Sequence, residues 1–196
     1  HIEVYAVDAA AVADMSALLS RLKAHPQVLG AAPFITAQAL LARGEDMKGV
    51  LVRGIDPALE PEVSDLSNDT QAGVLQRLQP GEFSLVLGRD LANNLFLQSG
   101  DPVTLVSPSG QVTPAGIVPR MKQMGVVGTF SSGHYEYDSG LALVHVDDAA
   151  KLFRTGGPTG VQLKLSDVHD ARRVAAELAA RMGPEIRVRD WTRSNA

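Results

Sequence analysis

The stretch Val103–Phe130, VTLVSPSGQVTPAGIVPRMKQMGVVGTF, restricts the possible fold of this 196-residue chain more than any other. Val103–Ser107 and Met124–Phe130 are dense in β-branched residues and predict the two strands of a hairpin. Hairpin loops take about 2–5 residues, yet the connection from Pro108 to Pro119 has 12. Pro108, Pro114 and Pro119 have no backbone N–H to give to a ladder, so this segment is excluded from a sheet interior and must project or follow an edge. It also holds Val112, Ala115, Ile117 and Val118, an apolar load that a solvated linker does not carry. A proline-stiffened apolar arm is suited to docking, because its prolines restrict the free ensemble and less entropy is lost on binding. The competing expectation is a long loop folded back over its own core. No acidic residue occurs from Pro102 to Tyr135, although the chain has 22, and Arg120 and Lys122 follow the arm. The root of the arm is therefore locally positive.

Composition sets the class. With 45% hydrophobic and 20% charged residues the chain can bury an ordinary globular core, as one domain or two small ones. A net charge of −4 argues against a nucleic-acid binder, which normally shows a basic face. No run of about 18 apolar residues suggests a membrane span, and the start at His1 shows no signal-peptide pattern. Those two features predict a soluble segment cut from something longer. The absence of cysteine excludes disulfides and thiolate chemistry and fits either redox compartment.

In chain order, Ile2–Val7 predicts a strand, and Asp14 an N-cap for a helix with Met15, Leu18, Leu19 and Leu22 on its apolar face, stopped near His25 by Pro26. Val28–Leu41 reads as a long strand with a bulge or edge position at Gly30 and Pro33. The same β-α-β pattern returns in Val161–Leu165, an Asp167-capped helix carrying Ala171, Val174, Ala175, Leu178 and Met182, and Ile186–Val188. The fold class predicted is α+β: a split β-α-β/β-α-β lobe formed by both chain ends, residues 1–43 and 159–196, with an inserted β-rich lobe, residues 44–158. Inside the insert, Lys48–Ile55, Ser84–Leu87 and Gly140–Val146 are strands. Leu59–Leu66 is a turn or short surface helix, Gly88 opens a helix with Leu91 and Leu95, and Asp147 caps a helix containing Ala150 and Phe153. Trp191, between Arg189 and Arg193, suits either a position just outside a membrane or packing under the last strand.

Catalytic and cofactor patterns are missing. The five histidines have no zinc spacing, and no G-x-S-x-G, Walker lysine motif or G-x-G-x-x-G occurs. His134-Tyr-Glu-Tyr-Asp138 clusters potential bases and phenols, but its Ser and Gly flanks read as a solvated turn. The chain is therefore expected to be a protein-binding module with no enzymatic activity, cofactor or metal.

The residues T-P-A-G-I-V-P, V-V-G-T-F, Y-E-Y-D-S-G and D-D-A-A-K-L-F resemble the periplasmic domain of the LolC/LolE membrane subunits of the lipoprotein-releasing ABC transporter, over essentially the whole chain. The resemblance implies a MacB-like periplasmic core: a porter-like lobe and an inserted lobe carrying a protruding arm, the hook, which holds the soluble lipoprotein chaperone LolA. The T-P-x-G-x-x-P pattern is similar to LolC and Gly160–Ala171 to LolE, so a LolF-type subunit that forms a homodimer is implied. The hook maps onto Pro108 to Pro119, with Val112, Thr113, Pro114, Ala115, Gly116, Ile117 and Val118 between its end prolines. A second contact patch at its base maps onto Thr104, Met121 and Lys122, where only Lys122 keeps the family chemistry and Arg120 can substitute. Also implied are lipoprotein substrates, a separate LolD-type ATPase, a second membrane subunit, and a location on the periplasmic face of the inner membrane between two transmembrane helices. The alternative is the external domain of an efflux-type ABC system that couples to an adaptor.

Overall fold

The computed structural model describes residues 2–6, 12–64 and 73–190. In its first part β1 (Ile2–Ala6), α1 (Met15–Lys23), β2 (Val28–Arg43) and β3 (Asp46–Ile55) are followed by short 3-10 turns at Glu60–Glu62 and Leu75–Arg77. Then come β4 (Ser84–Gly88), α2 (Arg89–Asn94), β5 (Pro102–Thr113), β6 (Gly116–Phe130), α3 (Tyr135–Gly140), β7 (Leu141–His145) and α4 (Val146–Leu152). The chain closes with β8 (Gly160–Leu165), a 3-10 turn at Val168–Asp170, α5 (Ala171–Arg181) and β9 (Ile186–Asp190). The expected roles of Trp191 and Arg193, and the ends of the segments expected at Val7 and Leu66, lie outside the described residues.

The two ends of the chain form one antiparallel sheet in the order β2-β8-β1-β9. Because β8 lies between β1 and β2, each β-α-β unit is split. Asp14 caps α1, its Oδ1 accepting from the Ala17 N–H at 3.1 Å. Asp167 caps the 3-10 turn that leads into α5, accepting from the His169 N–H at 2.9 Å. One core joins both helices to the sheet through Leu18 and Leu22 of α1, Val174 and Leu178 of α5, and Ile2, Val4, Val161 and Leu163 beneath them.

The remaining strands do not end in open edges. β2 pairs with β3, β3 with β7, β7 with β4, β4 with β6, β6 with β5, and β5 returns to β2. The ladders thus close into a ring, which removes edges that would otherwise template aggregation. Strand β2 belongs to both sheets: Phe34 faces Gly160 of β8 and also Ile55 of β3. Arg53 of β3 reinforces this junction. Its guanidinium donates to Gln162 Oε1 at 2.7 Å and to Glu3 Oε1 and Thr36 Oγ1 at 3.3 Å, and stacks 4.2 Å from the Phe34 ring centroid.

Three sequence expectations change. The 12-residue connection is no loop: both strands run on through it, and β5 pairs with β6 as far as Thr113 and Gly116. The prolines are tolerated because no third strand asks for their N–H groups there. Asp147 does not cap α4. His145 does, its Nδ1 accepting from the Asp147 N–H at 3.0 Å, because the helix begins at the buried Val146. The His134–Asp138 cluster enters a helix rather than a turn: residues His134 to Tyr137 are exposed as expected, but Asp138 is buried, 6% exposed.

Candidate partner-binding site

Beyond Ser107 the β5–β6 hairpin leaves the sheet as a two-stranded ribbon. The last β2 partner of β5 is Leu40, opposite Val106, and β6 meets β4 only from Gly125 onward. Pro114 and Ala115 form the tip between the facing residues Thr113 and Gly116. The fixed φ of proline suits the first central position of a turn. Gly116 then adopts φ +116°, a backbone state that L side chains avoid, and Thr113 Oγ1 donates to its carbonyl at 2.7 Å. Val112 faces Ile117 across the ribbon. Val112, Ile117, Val118 and Met121 are 82%, 70%, 50% and 67% exposed, so the apolar load of the ribbon has no cover among the described residues. Pro108 and Pro119, which bracket the arm, are exposed as well, and Thr104 lies half-buried at its root.

At the foot of the ribbon is an open cleft of about 190 Å³ lined by Phe83, Leu105, Leu152 and four cations, Arg120, Lys122, Lys151 and Arg154. Its lining contains no carboxylate. Lys122 Nζ rests 4.5 Å from the Phe83 ring centroid, and Arg120 Nε is buried without a hydrogen-bond acceptor. Phe83 is held in the left-handed region, φ 51°, by a buried carboxylate: Asp148 accepts from the N–H groups of Gly81 at 2.7 Å and Phe83 at 3.0 Å. These two bonds offset the local cost of that conformation and hold the aromatic platform under Lys122. Lys151 and Arg154 were not singled out by sequence reasoning. They lie about thirty residues beyond Lys122, and only ring closure brings the end of α4 to the ribbon.

The catalytic-looking cluster has a structural role. Asp138 Oδ1 accepts from the Ser132 N–H and hydroxyl, each at 2.7 Å, and Oδ2 from the Gly133 N–H at 3.2 Å. A carboxylate whose oxygens are occupied by local donors orders the turn between β6 and α3. The rings of His134 and Tyr137 pack edge to face at 5.8 Å. Among the described residues, no group of three or more His, Asp or Glu side chains could hold a metal ion.

Residues 2–181 match the family model of the MacB-like periplasmic core domain. The chain belongs to that family. Its similarity to LolC and LolE proteins is seen in sequence. It is 44% identical over 171 residues to the lipoprotein-releasing system transmembrane protein LolC of Xylella fastidiosa strain Temecula1, covering 87% of this chain and 41% of that protein. It is 43% identical over 170 residues to LolC of Neisseria meningitidis serogroup B, covering 86% and 41%. LolE of Haemophilus influenzae is 26% identical over 175 residues, covering 89% and 42%. The chain therefore spans about two-fifths of the length of these relatives. Solved structures agree on the fold. The extracellular domain of the noncanonic ABC-type transporter YknZ from Gram-positive bacteria superposes with TM-score 0.52 at 14% identity, covering 96% of this chain and 98% of that one. The periplasmic region of MacB from Actinobacillus actinomycetemcomitans gives 0.53 at 10% identity, covering 96% and 87%. No described helix is long and apolar enough to cross a membrane.

Proposed function

We propose that this MacB-like domain is the periplasmic part of a lipoprotein-releasing ABC transporter membrane subunit. In this reading its β5–β6 ribbon recruits a LolA-type chaperone that receives lipoproteins extracted from the inner membrane. The observation that carries the reading is the ribbon itself: a two-stranded arm that leaves the sheet with Val112, Ile117 and Val118 uncovered, on a chain 44% identical to a LolC. Exposed apolar side chains on a proline-bounded ribbon gain free energy by burial and lose little entropy in the process. The cations of the adjoining cleft steer an acidic partner toward the ribbon. The four-stranded sheet built from the chain ends is the lobe that continues into the membrane, and the closed ring, which shares β2 with it, presents the arm. ATP hydrolysis belongs to a separate LolD-type subunit, and a second membrane subunit, a copy of the same chain in a LolF-type arrangement, completes the transporter.

The test is surface-plasmon kinetics against the LolA-type chaperone of the same organism at two salt concentrations. Pro114→Ala or Ile117→Ala should speed dissociation by about 5–30-fold, the effect of losing a contact worth about 1–2 kcal/mol. Lys122→Glu should instead slow association, more at low salt than at high. If both ribbon variants bind like the parent, the ribbon is not the grip.

A further inference from the structure

Where the ribbon leaves the sheet its two strands differ in length. Between the facing pairs Ser107–Arg120 and Gln111–Val118, β5 contributes Pro108, Ser109 and Gly110, while β6 contributes Pro119 alone. A surplus of residues on one strand bends the ladder and increases its twist. This bend lies immediately beyond Val106, the last residue of β5 paired with β2. The ribbon is therefore aimed at its root.

Gly110 makes that bend possible. A Cβ built on it would lie 2.6 Å from the Val118 carbonyl carbon and 2.9 Å from the Pro119 Cα, with the Val118 carbonyl oxygen closer still. These neighbours are backbone atoms, which no rotamer change can move aside. Gly110 is not among the positive-φ glycines, so its requirement is for space rather than for a left-handed conformation. Pro119, with φ fixed by its ring, forms the other side of the crossing. We infer that Gly110 is a positioning residue: lacking a Cβ, it lets β5 cross Pro119 in direct backbone contact and so sets the direction in which the ribbon presents Val112, Ile117 and Val118. The functional half rests on the docking reading given above. A partner that engages the ribbon and the cleft at its foot together needs that direction fixed before binding, because reorienting the arm afterwards costs affinity.

The chain has no cysteine, so a pair of introduced cysteines carries spin labels without ambiguity. Ala115→Cys at the tip and Lys48→Cys on β3 provide the pair, and pulsed electron resonance measures the distance between them. Gly110→Ala and, more strongly, Gly110→Val should shift or broaden the distance distribution. The melting temperature should stay near the parent value, because the atoms they disturb belong to the exposed ribbon residues Val118 and Pro119. In the same backgrounds the dissociation constant for the LolA-type chaperone should rise about tenfold or more, a hot-spot-sized effect. Ile117→Ala serves as the contrast, weakening binding while leaving the distance where it was. An unchanged distance distribution in both Gly110 variants overturns the inference. So does a shifted distribution with parental affinity. If the parent chain does not bind the chaperone, the docking reading and the functional half of this proposal fall together, and the distance measurement alone decides whether Gly110 aims the ribbon.

Discussion

Arg53→Ala should destabilise the chain by about 3 kcal/mol. The side chains of Arg53 and Glu3 are 15% and 12% exposed, so their pair at 3.3 Å is largely withdrawn from water. Removing one partner of a fully buried pair costs about 3–5 kcal/mol, chiefly because the other charge is left unpaired. The residual exposure of Glu3 lowers that to about 2–3 kcal/mol, since water can still reach its carboxylate. Loss of the Phe34 stacking adds about 0.5–1 kcal/mol. Circular dichroism during urea unfolding reads the change as a shift in midpoint at constant slope. Glu3→Gln and Arg53→Met, alone and together, separate the pair from its surroundings. Their combined cost should be smaller than the sum of the single costs by about 1–2 kcal/mol, as expected for groups in contact. If Arg53→Ala costs less than about 1 kcal/mol, or the pair is additive to within about 0.5 kcal/mol, Arg53 is a bystander and the brace across the junction is illusory.

Two further substitutions test buried carboxylates. Glu60 is 3% exposed, and burial raises its carboxyl pKa above the ordinary glutamate value, with Arg53 opposing and Asp56 adding to the rise. The folded state thus holds this proton more firmly than the unfolded chain does. The resulting penalty is absent below the ordinary value, grows as pH rises through the window up to the raised value, and is complete above it. Glu60→Gln should remove that slope and raise the urea midpoint at neutral pH, while parallel pH profiles for parent and variant would refute the assignment. Asp148→Asn should cost about 2–3 kcal/mol, because an amide accepts through one oxygen only and turns an N–H toward a backbone donor. Hydrogen exchange at Gly81 and Phe83 should quicken, and parental protection at both sites would show that the carboxylate does not hold the loop.

The parts of this fold that depend on local pattern were readable in the sequence. Asp14 announced a helix start by side-chain chemistry alone, Asp167 proved to cap the 3-10 turn ahead of the helix expected of it, and the two β-α-β units followed from apolar periodicity at the chain ends. The ribbon was visible as an excess of prolines and exposed hydrophobics. Its continuous pairing was not, because a proline is excluded from a sheet interior but not from a strand with a free edge. The bend at Gly110 depends on how many residues face Pro119, and that count exists only once the register is set. Lys151 and Arg154 were illegible for a similar reason: two exposed cations at the end of a short helix look like solvated charges until the closing ring places them beside Lys122. Asp138 read as part of a solvated turn, and nothing in the sequence singled out Asp148. Burial sets the role of both, since each is surrounded by backbone N–H groups that only the folded turn brings together.

The shared strand has a mechanical consequence. β2 is 16 residues long and enters the four-stranded sheet and the closed ring without a break, the two ladders overlapping at Phe34. A hinge needs a residue free to change its backbone angles, and at Phe34 both flanking edges are already bonded. Rotating one sheet against the other would break several ladder bonds at once. A pull on β1 would therefore pass through the β8 ladder into β2 and on to β5, from which the ribbon extends. Among the described residues, no loop interrupts this path between the sheet of the chain ends and β5.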